Sequence, residues 1–342
     1  MVFLKASGKN QIKKDGITFW KATLRLVLFI VELNTEESPN LCQRHLIRWR
    51  VIGRIITTPT SGKVRKKILS TNGRNSNGDS IKFEVKKNEI IKRGIITPDK
   101  HFPLEDKAAI KCLIKAIEIV RPDTYVDLGD VGEWSAFSHW KFARIKKPPL
   151  EYLIEDFDKD VNAVNKGMDT IDEALDKVGC KDKYFTEGNH DNWCNMAVDK
   201  YPYIPQYKFS NAVKLKERGY KFYKFGKHLK IGKLYFYHGH QYGGIYHAAN
   251  HLRKLGCNIM YAHWHSLQHM TATHMDGAKA AWSIGCLKDM NPSKNDWLNN
   301  RRINWGHAFA VVDWFKGGNF CVNVVQIVNG RASLWGEVID GN

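Results

Sequence analysis

The stretch Lys183–Asp191, KYFTEGNHD, limits the choice of possible folds more than any other part of this chain. Its first four residues predict a short strand, and Gly188 marks the end of that strand. Asn189, His190 and Asp191 follow at once, and their side chains bind metals or move protons. Ligand sites in α/β proteins gather at the carboxyl ends of strands. The stretch therefore predicts one part of a metal-dependent site.

The same arrangement recurs elsewhere in the chain. Short apolar segments run into Asp99-Lys100-His101, Gly129-Asp130, His238-Gly239 and His263-Trp264-His265. The five strand ends together supply seven oxygen or nitrogen ligands: Asp99, His101, Asp130, Asn189, His238, His263 and His265. Such ligands without thiolates suit Mn, Fe, Zn or Ni rather than a structural zinc cage. Seven exceed one tetrahedral site and indicate two ions that share a bridging carboxylate.

Strands and helices alternate in the first half of the chain, and strands dominate the second. Apolar spacing predicts a helix at Glu105–Val120, and Trp134–Val178 is predicted to be mostly helical with a break at Pro148–Pro149. Strands are predicted at Gly94–Thr97, Tyr125–Leu128, Lys183–Thr186, Leu234–Tyr237, Cys257–Ala262, Ala280–Ile284, Ala308–Phe315, Phe320–Val328 and Ala332–Ile339. This order predicts an α/β domain in which two packed sheets are flanked by helices.

The order D-x-H, G-D, G-N-H-D, H-G and H-x-H resembles the calcineurin-like metallophosphoesterase superfamily, over roughly residues 94–290. The overall pattern is similar to phage-encoded members. The resemblance implies a four-layer α-β-β-α sandwich for residues 94–342, with a helical insertion at about 134–178 beside the metals. Ala262 stands where the superfamily usually has glycine, which matters only if the backbone there needs a positive φ.

The resemblance also implies a role for each ligand. A first metal would be held by Asp99, His101 and His265, a second by Asn189, His238 and His263, and Asp130 would bridge them. His190 would act on the leaving oxygen as a general acid or charge stabiliser, and Asp191 would orient its imidazole. The cofactor is thus two divalent ions, Mn first, with Fe, Zn or Ni as alternatives. A hydroxide bridging the ions would attack the phosphate ester.

Three further residues are candidate substrate contacts. Lys100 lies between two metal ligands, where it would either contact a substrate phosphate or point to solvent. His240 follows the ligand His238 by two residues and could line the same site. Trp264 lies between two ligands, so it must be close to the metals.

The charge of the chain favours a polyanionic partner. The 342 residues carry a net charge of +18, and residues 1–94 hold 20 Lys and Arg against 7 Asp and Glu. We therefore expect a basic region at residues 1–93 that binds nucleic acid, although a solvated face is the alternative. The expected activity is a phosphoesterase acting on nucleic acid or nucleotide phosphodiesters. A protein or small-molecule phosphomonoesterase and a non-catalytic binding scaffold are the alternatives.

Cysteine usage and hydropathy indicate the cellular compartment of the protein. The seven cysteines are widely spaced and form no C-x-x-C pair, which favours a reducing interior. The longest apolar run, Ala22–Leu33, is too short to span a bilayer. We expect no membrane partner and a cytoplasmic location, in the host cytoplasm if the protein is phage-encoded. The oligomeric state stays open.

Overall fold

The computed structural model describes residues 72–74, 80–82, 90–138, 141–142, 145–299 and 301–342. Most of the basic region predicted for residues 1–93 therefore lies outside the described residues. Within it, β1 (Asn72–Arg74) and β2 (Ser80–Lys82) form an antiparallel pair. A second unit, from residue 88 to the end of the chain, contains all the other elements. No helix in the described ranges is long and apolar enough to cross a bilayer.

The first half of this unit alternates strands with helices. Its elements are β3 (Ile90–Thr97), α1 (Lys107–Val120), β4 (Thr124–Asp127), α2 (Leu150–Val178), β5 (Asp182–Thr186), α3 (Asn189–Lys200), α4 (Phe209–Ala212) and β6 (Tyr220–Tyr223). The second half is mostly strand: β7 (Leu229–Ile231), β8 (Leu234–Phe236), α5 (His247–Leu255), β9 (Ile259–Tyr261), β10 (Leu267–His274), β11 (Gly277–Ile284), β12 (His307–Phe315), β13 (Phe320–Val328), β14 (Arg331–Leu334) and β15 (Glu337–Asp340).

Two sheets result. The larger has the order β15-β14-β13-β12-β3-β4-β5-β6, and the smaller has the order β10-β11-β9-β8-β7. The strands β3, β4, β5 and β6 run parallel, with Ile96 opposite Val126 and Val126 opposite Tyr184. In the smaller sheet β8 and β9 are also parallel. The carboxyl ends of parallel strands meet at one edge of a sheet, which is where the polar strand ends of the sequence fall.

Three apolar layers separate the sheets and helices. Ile96 and Val126 of the larger sheet pack with Phe236 and Met260 of the smaller one. The other face of the larger sheet is buried under α1, α2 and α3, and α5 covers the outer face of the smaller sheet. The order helix, sheet, sheet, helix is the four-layer α-β-β-α sandwich, so the predicted fold class is confirmed.

The ends of the helices follow from local chemistry. The side chain of Asp106 accepts a hydrogen bond from the Ala109 backbone N–H at 2.7 Å, so α1 begins at Lys107 rather than at Glu105. The helix α2 begins directly after Pro149, whose ring suits a first turn. It buries an apolar stripe in the main core and connects the parallel strands β4 and β5.

The strand predictions were wrong at the end of the chain, and they did not include β6, β7 or β10. The single run predicted at Ala332–Ile339 is a hairpin of β14 and β15, because Trp335 and Gly336 both have positive φ and turn the chain. The strand β10 was missed, since its sequence LQHMTATH carries little apolar alternation. It is nevertheless paired with β11 along its whole length, from Leu267 opposite Ile284 to His274 opposite Gly277.

Gly129 is the glycine on which the metal edge depends, because φ is +92° there and a Cβ would lie 2.4 Å from the Gly188 nitrogen. We predict that Gly129→Ala lowers the free energy of unfolding by about 1–2 kcal/mol for the left-handed backbone and a further 1–3 kcal/mol, roughly, for overpacking. Gly179→Ala is the matched control, since its φ is +78° but a Cβ meets nothing within 4 Å. Urea denaturation measures both; equal losses would contradict the steric argument.

Candidate metal centre

The polar strand ends come together at one buried edge between the two sheets. Asp99 follows β3, Asp130 follows β4 and Asn189 follows β5, while His238 and His263 follow β8 and β9. Asp99, Asp130 and His238 are each at most 2% exposed. Carboxylates and imidazoles are rarely buried without a partner, so this edge needs compensating charge.

The first group consists of Asp99, His101 and His265, whose ligand atoms all lie within 4.8 Å of one another. The Nε2 of His265 is 2.8 Å from the Asp99 Oδ2, and the Nε2 atoms of His101 and His265 are 3.2 Å apart. The backbone N–H of His263 donates to the same Asp99 carboxylate at 3.1 Å. The structure thus brings together the three residues predicted to hold the first metal.

The second group consists of Asp130, His238 and His263. The Nε2 of His238 is 3.1 Å from the Asp130 Oδ2, 2.9 Å from the Asn189 Oδ1 and 3.1 Å from the His263 Nδ1. The His238 Nδ1 donates to the Leu128 carbonyl at 2.8 Å, which turns Nε2 toward the group. The residues predicted to hold the second metal therefore also lie together.

Asp130 lies between the two groups. One carboxylate oxygen faces His238, and the other accepts the backbone N–H of His190 at 2.8 Å. A third set of ligand atoms within 4.8 Å joins His101, Asp130 and His190. A carboxylate with neighbours on both sides is suited to bridge two cations.

The protonation states fit a pair of cations. Burial lowers the pKa of both His101 and His263, so each imidazole is neutral and keeps a lone pair. Burial also disfavours a charged His238, but the carboxylates of Asp130 and Asp99 outweigh it and raise its pKa to about 10. A proton thus compensates the carboxylates in the protein alone, and metal ions would replace that proton. The residues present therefore fit two divalent ions.

The backbone at the site is strained. Four of the predicted ligands have left-handed φ values: His101 at 54°, Asp130 at 47°, His263 at 67° and His265 at 58°. Non-glycine residues adopt this region at a cost of about 1–3 kcal/mol, and such residues cluster at functional sites. Ala262 does not have a positive φ, so its methyl group in place of the usual glycine adds no strain.

The role predicted for Asp191 was wrong. Its carboxylate accepts from the backbone N–H groups of Asp130 and Gly188, at 2.8 and 3.1 Å, and from the Trp134 indole at 3.0 Å. It ties two site loops together rather than orienting His190. The His190 Nδ1 donates instead to the Glu133 backbone carbonyl at 2.8 Å.

Glu133 is the site residue that the sequence analysis missed. Besides its carbonyl contact to His190, its Oε2 lies 2.9 Å from the His101 Nδ1, a close contact without hydrogen-bond alignment. The same oxygen accepts from the buried ammonium of Lys288 at 2.7 Å. The one signal in the sequence is its position three residues after Asp130, the residue predicted to bridge the metals.

Lys100 occupies neither of the two places predicted for it. Its side chain is fully buried, and its Nζ lies 2.8 Å from the Asp127 Oδ2 and 3.1 Å from the Pro98 carbonyl. It therefore stabilises the buried residues next to the site and is not a substrate contact. Lys100 lies three residues after the end of β3, and Asp127 at the end of the neighbouring strand β4 neutralises its buried ammonium group.

The other two candidate substrate residues lie at the edge of the centre. The ring of His240 stacks on Phe225 with centroids 3.9 Å apart and lies 6.3 Å from His238. Trp264 is 4.9 Å from the His263 ring, and its indole N–H donates to the Gly239 carbonyl at 3.1 Å. Trp264 thus anchors the turn after His238, and His240 borders the second group.

Sequence comparison finds relatives encoded by phages. The chain is 26% identical over 271 residues to the Gene 54 proteins of Mycobacterium phages D29 and L5, covering 72% of this chain and 98% of theirs. The predicted similarity to phage-encoded proteins is therefore confirmed. No family model matches the chain.

Structural comparison finds distant neighbours. A Vps29 variant from Entamoeba histolytica shares 13% identity over 73% of this chain and 99% of that one, with a TM-score of 0.38. A dimetal phosphatase from Danio rerio shares 10% identity over 74% of this chain and 99% of that one, with a TM-score of 0.34. The phosphoesterase YfcE from E. coli shares 13% identity over 68% of this chain and 98% of that one, with a TM-score of 0.31.

The buried pair under the site gives a stability prediction. Lys100→Met leaves the Asp127 carboxylate buried without its ammonium partner, and we expect a loss of about 3–5 kcal/mol in the free energy of unfolding. The double variant Lys100→Met/Asp127→Asn removes both charges and keeps the acceptor for the Gly129 backbone N–H, a 3.1 Å hydrogen bond. It should recover most of that loss. Urea titrations measure both variants; a double variant no more stable than the single one would contradict the charge argument.

Proposed function

We propose that this protein is a two-metal phosphoesterase that hydrolyses phosphate esters. The observation that carries the proposal is the pair of ligand groups, Asp99 with His101 and His265, and Asp130 with His238 and His263, at one buried edge. Asp130 borders both groups. Two divalent ions held there would lower the pKa of a bound water and offset the negative charge of the phosphate.

The residues around the groups have separable tasks. Asp130 and Asp99 supply the negative charge that retains the ions, and the buried imidazoles supply neutral nitrogen ligands. The Glu133 carbonyl holds the Nδ1–H of His190, which leaves Nε2 as the nitrogen that can give a proton to the leaving oxygen. The half-buried position of His190 keeps it accessible to a substrate.

The proposed substrates are nucleic acid or nucleotide phosphodiesters, and the proposed metal is Mn²⁺. The net charge of +18 supports a polyanionic substrate, because positive potential raises the local concentration of polyanions. The oxygen and imidazole ligand set supports Mn²⁺, with Fe, Zn or Ni as the alternatives. Substrate preference is measured with bis-p-nitrophenyl phosphate, p-nitrophenyl phosphate, DNA and a phosphopeptide. Turnover of the monoester and phosphopeptide alone would contradict the diesterase assignment.

Metal content and activity together test the roles of the site residues. We expect about two Mn²⁺ per chain after reconstitution, by elemental analysis. His190→Ala should keep that metal and lower kcat for bis-p-nitrophenyl phosphate by about 10²–10⁴, the range for a lost general acid. Asp130→Ala should lose metal, because it removes the carboxylate that both groups share.

The exposed residue His269, on β10, provides the matched control. His269→Ala removes an imidazole without touching the centre and should change neither metal content nor kcat. Loss of metal in His190→Ala would show that His190 is a ligand, as its proximity to His101 and Asp130 allows. Wild-type protein that takes up no metal and hydrolyses no ester would refute the proposed function.

A further inference from the structure

A lysine-rich segment, which we call the ribbon, has its middle residues beside the metal centre. The segment from Tyr220 to Lys233 joins β6, the edge of the larger sheet, to β7, the edge of the smaller one. Every third residue in it is lysine, and all five lysines are exposed: Lys221, Lys224, Lys227, Lys230 and Lys233.

Sheet direction places the middle of the ribbon at the metal edge. The strand β6 runs parallel to β5 and ends at the same edge as the ligand loops, so Lys224 follows it there. The strand β7 begins at that edge, since it is antiparallel to β8, which runs toward the ligand His238. Between them, Phe225 stacks on His240, whose ring is 6.5 Å from His263. Lys224 and Lys227 therefore flank a residue that contacts the rim of the centre.

A third lysine lies on the same side. The Phe225 backbone N–H donates at 2.7 Å to Glu187, two residues before the ligand Asn189. The Asn195 side chain donates to the same Glu187 carboxylate and accepts from the Phe209 backbone N–H at 3.1 Å, so Lys208, directly before Phe209, lies on this side as well. Lys208 is exposed at the start of α4. We call Lys208, Lys224 and Lys227 the rim lysines.

The other three lysines of the ribbon each have a partner, whereas the rim lysines have none among the described residues. Lys221 pairs with Asp182 at 3.1 Å, Lys230 lies over the Tyr235 ring, and Lys233 donates to Asn319. Within the part of the chain that the structure describes, no rim lysine lies within ion-pair distance of a carboxylate. Exposed ammonium groups gathered beside a buried metal edge make that rim electropositive.

We propose that the rim lysines bind the phosphates of a nucleic-acid strand that flank the phosphate at the metal centre. This inference rests on the proposed function and specifies its substrate class. A substrate with a single phosphate has its charge offset by the metal ions and leaves nothing for three further cations to bind. A nucleic-acid strand carries one phosphate per nucleotide, so the phosphates next to the reacting one fall outside the metal groups and meet the rim.

The same reasoning disfavours a phosphorylated protein. Its phosphate is one isolated charge, and the residues around it have no regular anionic repeat. The rim lysines lie on both sides of Phe225 and at the start of α4, so they are three separate cations along the rim. A repeating polyanion can contact several separate cations at once, and single strands are bound through backbone charge in this way.

The test is the salt dependence of binding to a fluorescein-labelled single-stranded oligonucleotide with a phosphorothioate backbone, which resists cleavage. The full chain, loaded with Mn²⁺, is compared with the variant Lys208→Gln/Lys224→Gln/Lys227→Gln. Each lost contact should lower the slope of log affinity against log salt by about 0.7, so the triple variant should lose about 2. Its turnover of bis-p-nitrophenyl phosphate should match wild type, because no rim lysine belongs to the ligand groups.

The matched control removes lysines from the far edge. Lys181, before β5, and Lys316, after β12, are exposed at the opposite end of the larger sheet. Lys181→Gln/Lys316→Gln should keep the wild-type slope, which shows that removing two positive charges away from the rim does not lower it. A triple variant with an unchanged slope overturns the proposal, as does a phosphopeptide that displaces the oligonucleotide equally well from wild type and from the triple variant.

Failure of the proposed function gives a different result. In that case bis-p-nitrophenyl phosphate is not hydrolysed by wild type, whatever the slope of oligonucleotide binding. Unchanged slopes with normal hydrolysis of the small ester would instead refute only the role of the rim lysines. The two measurements therefore separate the two conclusions.

Discussion

The carboxylate of Asp130 is the group around which the site is organised. It is 2% exposed and faces His238 on one side and the His190 backbone on the other. Its own pKa is held well below its usual range, because the neighbouring histidines outweigh the effect of burial. A buried anion in this position is stable only if positive charge lies beside it. In the protein alone the protonated His238 meets that requirement, and metal ions held at the site would take its place.

Bringing Asp130 to this position requires two loops to approach each other more closely than side chains allow. Gly129 and Gly188 lie face to face, and a Cβ on Gly188 would meet the Asp130 carboxylate itself. Asp191 then joins the loops by accepting from the backbone of both. Burial and the nearby Asp130 raise the pKa of Asp191, while the hydrogen bonds from the Trp134 indole and the Gly188 backbone act in the opposite direction. The strained ligand backbone is thus maintained by packing and hydrogen bonds beneath it.

The sequence predicted the strand ends well because each one is a sharp change from apolar to polar residues, and such a change is local. The start of α1 shifted by two residues since Asp106 is a cap, and β10 was missed because its pairing with β11 is a tertiary contact. The roles of Lys100 and Asp191 could not be predicted for the same reason. Which way a side chain turns after a strand depends on partners such as Asp127 and Trp134, which are distant in sequence.

Glu133 shows why contacts beyond the ligands matter for a site of this kind. Its carboxylate lies against the predicted ligand His101, while its backbone carbonyl fixes the imidazole of His190. The buried ammonium of Lys288 holds the carboxylate, and the Lys288 carbonyl in turn accepts from His307 on β12 at 2.8 Å. Glu133 therefore acts on two residues. Its side chain contacts one predicted ligand, and its backbone orients the residue proposed to act on the leaving group. Because that chain of contacts ends in a strand of the larger sheet, the geometry of the site is set by the sandwich as a whole and not by its loops alone.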